Sequence, residues 1–174
     1  MTNHSFKAML GGMALAALAM IPSVSEAQQQ TGHSVSGSGF TIVENDYFYP
    51  GSLGFTLRHS ISATVGAGGA VSGSVVVQID GLAPKQVTLV CVITCLSFDG
   101  KTAFFGGVIL NSNNPEFAKP GGEVAGFITD GDGNVPDLAW SGPSDYFLLP
   151  GQTCADHPFF IAKLPLANGN FIVR

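Results

Sequence analysis

The stretch CLSFDGKTAFFGGVI, Cys95 to Ile109, decides the fold. It reads as two apolar runs folded back on each other around Asp99-Gly100, a dipeptide that supplies the positive φ a two-residue hairpin turn needs. With Asp99-Gly100 as the turn, Phe98 pairs with Lys101, Ser97 with Thr102, Leu96 with Ala103 and Cys95 with Phe104. That register predicts one face carrying Cys91, Ile93, Cys95, Phe104 and Val108, and an opposite face carrying Val90, Val92, Leu96 and Phe105. Both faces are apolar. Such a ribbon is expected at the centre of a fold, covered on both sides, or covered once with its other side free to join a second copy in an oligomer.

The same punctuation recurs on either side of this hairpin. Pro50-Gly51, Asp80-Gly81, Pro120-Gly121-Gly122, Pro150-Gly151 and Asn168-Gly169 separate apolar runs at Phe40 to Phe48, Leu53 to Val65, Val71 to Ile79, Val87 to Phe98, Thr102 to Leu110, Glu123 to Thr129, Tyr146 to Leu149, Phe159 to Leu164 and Phe171 to Val173. No window of helical period interrupts them, and Val, Ile and Phe dominate the runs, so the chain reads as all-β. The expected architecture is an antiparallel β-sandwich or small β-barrel built from consecutive hairpins. Asn168-Gly169 predicts a last hairpin, whose first strand Pro165 confines to an edge.

Ahead of the strands, Lys7 precedes the apolar run Ala8 to Ile21, and Ser25-Glu26-Ala27 places small residues where a signal peptidase reads. Residues 1–27 are therefore expected to be a signal peptide cleaved near Ala27, because the apolar run falls short of the roughly 20 residues of a membrane span. The expected destination is the periplasm or the medium, with no transmembrane anchor. Residues 28–38, polar and rich in Gly and Ser, are expected to be a flexible lead-in, and residues 39–174 a single all-β domain. Seven Lys and Arg against 12 Asp and Glu give a net charge of −5, spread without runs, which excludes an electrostatic footprint for nucleic acid.

An exported chain with three cysteines, Cys91, Cys95 and Cys154, is expected to form one disulfide and keep one thiol. Cys91 and Cys95 on one strand stand about 13 Å apart, beyond the roughly 7 Å a disulfide spans. Cys154 must then be one partner. The same separation argues against zinc held by Cys91, Cys95, Cys154 and His157.

Cys95 to Ile109 and the closing NGNFIVR, Asn168 to Arg174, resemble a group of small, uncharacterised secreted bacterial proteins. Their pattern is a Cys-x-x-x-x-Gly-x-x-Ala-x-x-Gly-Gly-Val hairpin, an Asp/Asn/Gly-rich loop ending in Pro-Asp, a second Cys, and a terminal Gly-Asn-hydrophobic strand. Here those would be Asp130 to Asp137, Cys154 and Gly169 to Ile172. The resemblance covers roughly the last 85 residues. It implies an all-β secreted domain and a Cys95–Cys154 disulfide, leaving Cys91, which departs from the pattern, as the spare thiol. It implies no activity.

Three constellations could carry function. Asp130, Asp132, Asn134 and Asp137 have the oxygen donors and glycine spacing of a calcium loop, although Ser141 stands where the closing acidic ligand would be; the same residues also favour an ordinary turn. Tyr47, Tyr49, Trp140 and Tyr146 could present rings to a sugar, or simply fill a β core. Acids near Asp130, Asp137 or Asp145 could act as a hydrolytic pair, but no Gly-x-Ser-x-Gly elbow or His-Glu-x-x-His motif is present. The expectation is a non-catalytic secreted β-domain of binding or structural type, meeting an extracellular glycan or protein surface. The alternatives are a calcium-assisted carbohydrate binder and a small carboxylate hydrolase.

Overall fold

The computed structural model describes residues 32–43, 54–81, 86–143, 153–156 and 164–174. They form one antiparallel sheet of eight strands: β1 (Ser34–Val43), β2 (Phe55–Val65), β3 (Val71–Asp80), β4 (Val87–Asp99), β5 (Thr102–Ser112), β6 (Glu123–Thr129), β7 (Leu138–Pro143) and β8 (Asn168–Val173). The order is β7-β6-β5-β4-β3-β2-β1-β8, so seven consecutive hairpin neighbours are followed by a last strand that returns to the first. The all-β expectation holds, and the architecture is one curled sheet rather than two stacked ones.

Curling produces an inside and an outside. Alternate residues of β2, Phe55, Leu57, His59, Ile61 and Ala63, are buried, as are Val75, Val77 and Ile79 of β3 and Leu89, Cys91 and Ile93 of β4. This period of two is what a strand with one covered face requires. Phe105, Ile109, Val124, Ile128 and Phe171 complete the core. The sheet's two ends approach each other just before β8: Leu138 bridges Pro165, the Leu166 N–H donates to the Asp137 carbonyl at 2.8 Å, and the Ala139 N–H donates to the Leu164 carbonyl at 3.3 Å.

Three sequence expectations are corrected here. The β4–β5 turn is centred on Gly100 and Lys101, with Asp99 opposite Thr102, so Cys95 faces Gly106 and not Phe104. Register shifts between Val90 and Cys91 and between Ile93 and Cys95 mark bulges, and a bulge turns the following side chains to the other face. Asn168-Gly169 is not a turn: both residues lie within β8, opposite Phe40 and Gly39. A Cβ on Gly169 would strike the Gly39 backbone, so this glycine serves the close approach of two strands. Finally, the supposed lead-in already contains β1 from Ser34 onward, paired on both sides. The expected strand at Tyr146 to Leu149, and all but the last residue of the one at Phe159 to Leu164, lie outside the described residues.

Candidate functional site

The outer face of β8, β1, β2 and β3 is where the described side chains leave a recess. Cross-strand register aligns them in rows that run across the strands. Asn168, Phe40, Arg58 and Gln78 form one row; Asn170, Ser38, Ser60 and Val76 form the next. Beyond these come Ile172, Ser36, Ser62 and Ser74, and then Ser34, Thr64 and Ser72, with Thr64 and Ser72 sharing a hydrogen bond at 3.1 Å. Long side chains in the first row stand beside short ones in the second, and a groove of about 500 Å³ follows, lined by Asn168, Phe40, Arg58, Gln78, Ser38, Ser60 and Val76 with the intervening backbone.

The wall of the groove is fixed by charge and stacking. The Arg58 guanidinium carbon lies 4.9 Å from the centre of the Phe40 ring, within cation–π range. Its Nε donates to Asp80 Oδ2 at 3.3 Å, and the Gln86 amide donates to Asp80 Oδ1 at 2.7 Å. Asp80 thus pairs with Arg58 and keeps its guanidinium beside the Phe40 ring. What the groove offers is hydroxyl and amide groups, able both to donate and to accept, around one aromatic–guanidinium stack.

On the other half of the sheet the outer face is covered around Cys95, Ser97 and Gly106, while Val90 and Leu110 farther along β4 and β5 stay exposed. Cys95 and Cys154 form a disulfide with Cα atoms 6.0 Å apart, which fixes the short 3-10 turn Cys154–Asp156 against β4 and β5. Ser97 Oγ donates to the Cys154 carbonyl at 2.6 Å. The bulge before Cys95 explains the choice of partner, because it leaves Cys91 on the core side and turns Cys95 outward. Cys91 is buried and free, and desolvation pushes its thiol up to about 11, so it stays protonated and unreactive.

The loop of Asp130 to Asp137, whose residues suit either a calcium site or an ordinary turn, is engaged in tying the ends of the sheet together. Asp137 Oδ2 accepts the Phe171 N–H at 2.5 Å and its Oδ1 the Gly131 N–H at 2.9 Å, while Asp130 Oδ2 accepts the Val173 N–H at 3.1 Å. Two carboxylates therefore take up N–H groups of β8, as a neighbouring strand would. Asp132 pairs with Lys101, whose ammonium is held above its usual range chiefly by the Asp132 hydrogen bond, and Asn134 is exposed. Among the described residues no three His, Cys, Asp or Glu side chains gather as a metal site. Nor are Asp130 and Asp137 a free acid–base pair, since both carboxylates accept backbone hydrogen bonds. Trp140 is 4 % exposed, its ring 6.2 Å from that of Phe55, so it offers no stacking surface. Tyr47, Tyr49, Asp145, Tyr146 and His157 lie outside the described residues.

Sequence reasoning missed one pair altogether. His59 Nε2 and Ser141 Oγ share a hydrogen bond of 2.8 Å that crosses the interior from β2 to β7, with the two residues 2 % and 3 % exposed. Burial pushes the imidazole down to about 4, so it is neutral at ordinary pH. A histidine beside a serine has the outline of a nucleophile and base, yet among the described residues the second ring nitrogen has no partner to orient it, and the pair is sealed in the core. The alternation of β2 was the available signal, for His59 falls on its apolar phase.

The chain matches no protein-family model, no curated protein and no solved structure. The site must therefore be interpreted from its own chemistry. Among the described residues no helix is long and apolar enough to cross a membrane.

Proposed function

We propose that this chain is an exported, non-catalytic β-domain that works by binding, and that its binding face is the outer surface of β8, β1, β2 and β3. The groove along Ser38, Ser60 and Val76, walled by the Arg58–Phe40 stack, is the observation that carries this reading. The signal-like segment at the start of the chain and a disulfide suited to an oxidising compartment support export. Asp130 and Asp137, two of the acids that could have formed a hydrolytic pair, accept backbone hydrogen bonds, and the Ser–His pair is closed off, which favours binding over turnover.

A panel of neutral glycans, polyanions and anionic lipid vesicles, offered to the purified protein and to Ser60→Trp, tests this reading. Binding of any one class that the groove-filling variant loses, without substrate breakdown, supports it. Steady turnover, or binding indifferent to the groove, contradicts it. The strip Val90, Val92, Val108 and Leu110, of which Val90 and Leu110 are exposed, is the surface we propose for any self-association, tested by sedimentation of Leu110→Lys against the parent protein.

A further inference from the structure

We propose that the ligand of this groove is an uncharged, extended glycan lying across the strands, with about one sugar ring over each of four strands; this rests on the reading of that face as the binding surface. The geometry comes from the register. Ser38, Ser60 and Val76 are direct cross-strand partners, as are Asn168, Phe40, Arg58 and Gln78, so floor and wall both run perpendicular to the strands. Neighbouring strands are about 4.8 Å apart, which gives a track of roughly 14 Å over four strands. That spacing is close to the rise of one hexose in a flat, β-1,4-linked chain, so successive rings meet equivalent positions on successive strands.

The chemistry narrows the class further. A sugar hydroxyl both donates and accepts, as do the Ser38 and Ser60 hydroxyls and, through separate atoms, the Asn168 and Gln78 amides. A polyanion would need uncompensated cations, but among the described residues the groove's one cation, Arg58, is bonded to Asp80. A lipid would need apolar surface, and Val76 is the one apolar side chain of the floor among the described residues. A peptide joining the sheet would need an open strand edge, whereas β1, β2 and β3 are paired on both sides and the edge strand β8 already gives its Phe171 and Val173 N–H groups to Asp137 and Asp130. Arg58 stacked on Phe40 offers a flat wall against which a ring can lie.

Calorimetric titration with β-1,4-linked glucose and N-acetylglucosamine oligomers of two to six units tests this. Affinity for one series is expected to rise up to the tetramer and then level off. Ser60→Trp, which fills the floor, should weaken tetramer binding at least tenfold; Gln78→Ala, which removes only a wall amide, should weaken it severalfold. Thr64→Ala, two rows away, should leave it unchanged, and unaltered melting of all three variants shows that they fold. Affinity independent of oligomer length, or equal in the parent and Ser60→Trp, overturns the proposal. Binding of polygalacturonate or phosphatidylglycerol vesicles in place of neutral oligomers, lost in Ser60→Trp, overturns the glycan while leaving the binding face. Binding indifferent to Ser60→Trp in every case overturns both.

Discussion

The two halves of the sheet share an interior and differ on the outside. Over β4 and β5 the outward residues Cys95, Ser97 and Gly106 lie against the Cys154–Asp156 turn, and Ala125, Phe127 and Gly142, their row-mates on β6 and β7, are buried. Over β8, β1, β2 and β3 the outward rows are mainly Ser, Thr, Asn, Gln and Arg, most of them exposed, with Phe40, Val76 and Ile172 among them. A strand buried on both faces contributes packing and leaves nothing to offer a ligand; one buried on a single face keeps its other side chains free. The sheet thereby divides its labour: the half held by the disulfide contributes stability, and the open half is free to bind.

The largest effect is expected on the covered side. Removing the disulfide with Cys95→Ser and Cys154→Ser frees a loop spanning 59 positions and should cost about 4 kcal/mol in the chain-entropy account, with the largest gain in amide exchange on β4 and β5. Loss confined to β1–β3 would contradict the division.

The link between the halves should show itself in acid. An unfolded His59 takes its proton near pH 6.5, whereas the buried one resists protonation until about pH 4. Between these values the unfolded chain binds more protons, so stability is full above pH 6.5 and falls as the pH drops, by about 3 kcal/mol at pH 4 from this residue. Denaturant unfolding at a series of pH values should show this slope, and the paired variant His59→Leu with Ser141→Ala, which removes both polar partners, should flatten it.

A smaller effect is expected at the clasp. Asp137→Ala leaves the Phe171 and Gly131 N–H groups without their acceptor, and a loss of about 2 kcal/mol follows from the usual cost of such groups. Melting that is unmoved by millimolar calcium and by chelator in the parent protein would accord with carboxylates already satisfied by N–H donors; a rise with calcium would return the loop to the role of ion site. The smallest effect belongs to the open face, where Ser62→Ala should change stability by less than about 0.5 kcal/mol, because that hydroxyl is exposed.

How far the sequence could be read follows from the range of each signal. Strand type was legible because alternation and turn dipeptides are local: six of the expected apolar runs overlap described strands closely, and Gly100 and Gly121 adopt the positive φ that turns require. Register was not, since bulges beside Cys91 and Cys95 depend on what the strand packs against. β7 was missed because its small residues, Ala139, Ser141 and Gly142, make a weak apolar run that only burial on both faces turns into a strand. The groove was hidden by one decision: Ser34 to Ser38 look like a linker until β8 arrives from the far end of the chain to pair with them. The role of Asp130 and Asp137 was hidden for the same reason, for their partners Phe171 and Val173 stand 34 to 43 residues later.

The central claim, that the open half binds and the covered half does not, is tested most directly by backbone amide chemical shifts of the protein titrated with the glycan its groove selects. The account predicts shifts concentrated at Ser38, Phe40, Arg58, Ser60, Gln78 and Asn168, with β5 and β6 silent. Shifts centred on β5 and β6, around Phe104, Ala125 and Phe127, would contradict it.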